Sequence, residues 1–206
     1  MRRALSGLVM LSLLVWVSGC GRDPGAHARD PEVEALRADA VRASQQVLAP
    51  FLGLGTVVGS RVGDWCDAGQ DGPIWKDKAA LRCSYETHTL VLPAHASLDE
   101  ATEAAVAAFE RNGCQVSRRP AEARDYGLEH QGSSGIVSGR CGHVTVSLTA
   151  FVDARQVAGL NEFTPFPSTG FWVERTAFTD DALATVGTPP FVWAIKTSIE
   201  YLNVPR

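Results

Sequence analysis

The chain has no long stretch that concentrates lysine or arginine, only three of its residues are lysine, and its formal charge is −4. That excludes the basic footprint of a nucleic-acid-binding surface. It has no C-x-x-C pair and no histidines flanking its cysteines at finger spacing, so a structural zinc site is excluded and no metal is expected. No His-Glu-x-x-His and no Gly-x-Ser-x-Gly occur, which removes the two commonest local signatures of a metallohydrolase and a serine hydrolase. The longest apolar run, Leu5 to Val17, is shorter than the roughly 17 to 25 residues a membrane-spanning helix requires. Internal repeats and extended low-complexity segments are also missing.

What is present begins at the N-terminus. Arg2 and Arg3 precede that apolar run, and Val17-Ser18-Gly19-Cys20 places two small residues directly before a cysteine. This is the build of a secretory signal. Its ending resembles the lipobox of bacterial lipoproteins. The resemblance implies that residues 1 to 19 are removed and that Cys20 becomes an acylated N-terminus carrying a diacylglycerol. Two chains make such an attachment stable where one would be marginal. Arg2-Arg3 also opens a twin-arginine signal, but most of the flanking pattern of that class is missing, and export follows either way. The expected location is the extracytoplasmic face of the cell membrane, with the bilayer as a partner through Cys20. The rest of the chain resembles, more loosely, the small four-cysteine lipoproteins of unknown function found in GC-rich bacteria. That likeness implies no activity and no cofactor.

Removing residues 1 to 19 leaves one domain's worth of chain. Residues 20 to 30 lack periodicity and read as a lipidated cysteine with a flexible tether, and residues 31 to 206 as a single domain. Four further cysteines, Cys66, Cys83, Cys114 and Cys141, form an even set in an exported context, where disulfides persist. Three pairings exist. Short loops favour Cys66 with Cys83 and Cys114 with Cys141, each contributing about 3 to 3.6 kcal/mol by chain entropy.

Asp30-Pro31 begins a helix whose apolar stripe includes Val33, Leu36, Ala40, Val47 and Leu48, and Pro50 ends it. The glycine-rich stretch from Phe51 to Asp77 reads as loops and short extended pieces, and residues 81 to 92 as a strand. Ser97 and Glu100 form a capping box for a helix ending near Asn112, with Leu98, Ala105 and Phe109 on its buried face. Residues 113 to 118 form a strand, and residues 120 to 141 an irregular or hairpin region turning at Gly132-Ser133-Ser134-Gly135. Residues 143 to 153 alternate strictly, residues 170 to 178 form a strand, and Thr179 caps a short helical turn. Residues 191 to 204 fit a helix or a strand, and their β-branched and aromatic content favours the strand. Together these predict a two-layer, disulfide-stapled α+β domain, an antiparallel or mixed sheet with helices on one face.

Three functional readings follow. The first is a non-catalytic envelope module that binds a protein or small-molecule ligand, with Phe163, Phe166, Phe171 and Trp172 as the best contact candidates, since Pro165 and Pro167 hold that segment out of regular pairing. The second is an envelope hydrolase assembled from distant residues such as His88, His143 and Asp153. The third is a structural or assembly lipoprotein. His95 and His130 read as surface residues, and Asp180-Asp181 as helix capping. Trp65, Trp75 and Trp193, with Tyr85, Tyr126 and Tyr201, read first as core and disulfide packing, Trp65 shielding its neighbour Cys66, and second as a ligand groove.

Overall fold

The computed structural model describes residues 24–68, 79–162, 170–186 and 190–205. Seven strands form one antiparallel sheet: β1 (Gly55–Asp67), β2 (Ala79–Pro93), β3 (Gln115–Arg118), β4 (Ser133–Cys141), β5 (Val144–Phe151), β6 (Gly170–Arg175) and β7 (Val192–Pro205), in the order β3-β4-β5-β7-β2-β1-β6. The fold class is α+β, with antiparallel pairing throughout.

Helices α2 (Pro31–Leu52), α3 (Leu98–Arg111) and α4 (Ala121–Gln131) cover one face. Alternation decides which strand residues meet them: Trp193, Ile195 and Ile199 of β7 and Val144, Val146 and Leu148 of β5 join Phe51 and Phe109 in the main core. Phe51 and Phe109 meet edge to face at 4.6 Å, so α2 and α3 lock over the sheet. Two six-residue helices, α5 (Ala154–Gly159) and α6 (Asp180–Thr185), sit at one end of the opposite face. There Val157 and Phe178 close a second cluster over Leu90, Val192 and Ala194.

The α3 ends are as expected: Ser97 accepts from the Glu100 amide at 3.2 Å, and Arg111 stands in the last turn. Residues 192 to 205 are strand. Both expected disulfides are present, Cys66–Cys83 and Cys114–Cys141. Cys66 lies directly opposite Cys83 in the β1/β2 register.

Several local expectations need correction. The glycine-rich segment carries the thirteen-residue strand β1. Its glycines serve close approach: a Cβ on Gly55 would stand 2.0 Å from the Leu92 carbonyl oxygen, and one on Gly59 2.7 Å from the Ala182 Cβ. Residues 121 to 131 are the helix α4, which ends at Gly132 in the left-handed region (φ 70°), so the expected turn is a helix C-cap followed by the start of β4. Pro50 does not stop α2, because the following Phe51 is fully buried and holds the last turn. Leu36, placed on the apolar stripe, is 41% exposed, while its neighbour Arg37 is buried.

The segment expected as a tether is docked from Pro24 onward. Residues Pro24–His27 form the short helix α1 against β1 and β6, and Ala28 is fully buried among Val33, Leu81 and the Cys66–Cys83 disulfide. The Ala28 carbonyl accepts from Arg37 Nη2 at 3.0 Å.

Candidate functional site

Away from α5 and α6, the face opposite the long helices carries polar side chains. Register places Arg61, His88, Lys196, Ser147, Ser138 and Ser117 in one row across β1, β2, β7, β5, β4 and β3. Directly opposed residues share a face, so these six side chains stand on the same surface.

At the β1/β2 end the row is buried and charged. His88 Nε2 lies 3.1 Å from Arg61 Nη2 and 3.5 Å from Glu86 Oε1, and Lys196 Nζ pairs with Glu86 Oε2 at 2.6 Å. Burial lowers the His88 pKa below its ordinary 6.5, and Arg61 and Lys196 push it the same way. The imidazole is therefore neutral near pH 7, and its Nε2 stands between the Arg61 guanidinium and the Glu86 carboxylate. Burial works against the Glu86 carboxylate, but His88 and Lys196 outweigh it and hold its pKa at about 2.

The arrangement has a pH consequence. Glu86 is held below its ordinary 4.5, so its stabilisation of the fold is complete above about pH 4.5 and is lost as pH falls toward 2. The full swing is about 3 kcal/mol, at roughly 1.4 kcal/mol per pKa unit. His88 acts in the same direction from higher up: below pH 6.5 the unfolded chain takes a proton that the folded imidazole resists. Denaturant titrations at stepped pH should show stability falling through both windows, and Glu86→Gln should flatten the lower one. An unchanged slope below pH 4.5 in that variant would contradict the assignment.

At the β3–β5 end the row opens into a depression of about 210 Å³ lined by Ser117, Arg119, Ser138, Ser147 and Thr149. Arg119 is exposed and forms no ion pair among the described residues. Three serines on adjacent strands and one guanidinium present hydrogen-bond donors and acceptors on one surface. His88 is two strands from Ser147, about 10 Å at ordinary strand spacing, so no serine of the depression has it as a base.

The distant residues suggested for a hydrolase are not brought together. His143 is exposed in the turn before β5, and Asp153, just beyond the other end of β5, caps α5 by accepting from the Arg155 amide at 2.9 Å. His88 is on β2 in the charged row. Ser134 is buried under α4, where a Cβ on Gly127 would reach its Oγ at 2.8 Å, so it serves packing. Asp180 and Asp181 occupy the first turn of α6 behind Thr179, which accepts from the Ala182 amide. His95 is exposed, and His130 stacks on exposed Tyr126 at 4.2 Å within α4. Among the described residues, no cluster of three metal-ligating side chains occurs.

Of the aromatic contact candidates, Phe163 and Phe166 lie outside the described residues, as do Trp75 and Cys20. Phe171 and Trp172 belong to the edge strand β6, in ladder pairing with β1. Trp172 meets Trp65 edge to face at 5.6 Å. Trp65 does not shield the disulfide, because adjacent residues of a strand point to opposite faces; Ala28, Val33 and Phe171 do so. Trp193 is core.

The sequence reading missed Arg61, Glu86 and Lys196. Their signal was the period-two register of three strands, usable only once the pairing of β1, β2 and β7 was known. On comparison with known proteins, no protein family, curated protein or solved structure matches this chain.

Proposed function

We propose that the chain is an exported lipoprotein of a bacterial envelope, anchored through acylated Cys20, whose folded domain is a non-catalytic binding module. The observation that carries this reading is the N-terminal run of Arg2-Arg3, thirteen residues from Leu5 to Val17, and Ser18-Gly19-Cys20. Two disulfides in the domain agree with export to an oxidising compartment. The hydroxyl-lined depression around Ser117, Ser138 and Ser147, with Arg119 at its rim, supports ligand binding over catalysis: it has donors and acceptors but no base beside a nucleophile.

Cells fed labelled palmitate should incorporate the label into the wild-type chain, and Cys20→Ser should abolish labelling and move the protein from the detergent phase to the aqueous phase. Unchanged partitioning of Cys20→Ser would refute the anchor.

A further inference from the structure

The domain begins almost where the anchor ends. Only Gly21, Arg22 and Asp23 separate Cys20 from Pro24, and from Pro24 the chain is committed to the fold through α1 and buried Ala28. Four Cα steps span at most about 15 Å. A diacylglycerol on Cys20 therefore keeps Pro24, the first residue of α1, within that distance of the lipid headgroups.

The sheet corner beside α1 is aromatic on both faces, with Phe171 on the α1 side and Trp65 and Trp172 on the other. Helix α1 lies against β1 and β6. Phe171 and Trp172 start β6, Trp65 stands across from Trp172 on β1, and all three are half-buried. Val173, next along the edge strand, is 37% exposed, one of the few large apolar side chains so placed. The Arg175 guanidinium sits 5.6 Å from the Trp172 ring centre. Indole rings with an adjacent arginine have the chemistry of the membrane–water interface, where a flat apolar ring with a polar N–H partitions to headgroup depth and arginine meets lipid phosphate.

We propose that the β1/β6 corner of the sheet rests edge-on on the bilayer that holds Cys20, with Trp65 and Trp172 at the headgroup level. The proposal rests on the acylation of Cys20. It fixes the domain's orientation: the far end, with Val152 and α5, points away from the membrane, about 27 Å along β7 from Glu200, which is level with Trp65, to Val192, which is level with Phe151. Val152 is half exposed there and serves as the distal reference.

The test uses the full, lipidated chain in phosphatidylethanolamine/phosphatidylglycerol vesicles, with and without lipids brominated near the headgroup end of the acyl chain. A Trp75→Phe background leaves Trp65, Trp172 and core Trp193 as emitters in the processed chain. Bromolipid should quench its emission, and adding Trp172→Phe should reduce the quenched amplitude about twofold or more, as expected for an indole at headgroup depth. A tryptophan introduced by Val152→Trp should add emission that bromolipid leaves intact. Protein that carries the diacylglycerol mass and floats with the vesicles but shows no quenching overturns the orientation alone, as does equal quenching at position 152. A partner protein that covers Trp172 in place of lipid gives that same unquenched result. A chain without the added mass that stays out of the vesicles overturns the anchor and this proposal with it.

Discussion

Phe109→Ala is expected to cost about 3 to 5 kcal/mol, read as a drop in the denaturant midpoint at unchanged m-value. The ring is fully buried, packs edge to face on Phe51, and lies where a Cβ on Gly139 would come within 2.7 Å of it. Truncation removes apolar burial and leaves a cavity bounded by α2, α3 and β4. That space cannot close cheaply, because the three elements are each fixed elsewhere: α2 by Phe51, α3 by its two caps, and β4 by pairing on both sides. A change near zero would mean that α3 does not pack through this residue.

Arg37→Leu should be of similar size, about 3 to 5 kcal/mol, for an electrostatic reason. Arg37 Nε lies 2.8 Å from Asp64 Oδ2, and Asp64 is completely buried on the helix-covered side of β1. Burial raises the Asp64 pKa, while Tyr201 and Arg37 counter it; the Tyr201 hydroxyl donates to Asp64 Oδ1 at 2.8 Å. Removing the guanidinium leaves a buried carboxylate with one hydroxyl donor, frees the Ala28 carbonyl and loosens α1 over the disulfide. Double substitution of Arg37 and Asp64 by Leu and Asn should recover much of the loss, since the stranded charge goes too. Urea titrations of the two single variants and the double variant decide it; additive losses would show that the pair does not couple.

Arg37 also shows where sequence reading stops. Helical periodicity assigned Leu36 to the core, yet the helix turns so that Arg37 faces inward and Leu36 outward. The rotation follows from a partner, Asp64, twenty-seven residues away on another element, and no local pattern encodes that. Strand β1 escaped notice for a related reason. Its glycines carry no apolar signal of their own, and their value depends on the backbone of β2 and on α6 coming close. Helix α4 was missed because its surface is almost wholly polar, although Glu122 in its first turn, His130 in its last and Gly132 beyond it were legible end signals. The charged row of the candidate site was legible only in fragments, because its members come from three strands.

Elements whose information is local were determined by the sequence alone. The capping box and apolar stripe of α3, the alternation of β5, the β-branched content of β7 and the paired spacing of the cysteines each state a conformation within a few residues, and propensity and burial act together there. The tertiary structure alone decided what depends on long-range pairing. That includes the strand order, which gathers Arg61, Glu86, His88 and Lys196 into one buried cluster; the separation of His143 from Asp153 along β5; and the docking of residues 24 to 28 onto a disulfide that closes between β1 and β2. The physical reason is that a side chain's face is set by period two within its strand, but its neighbours are set by register between strands, and register is a property of the assembled sheet.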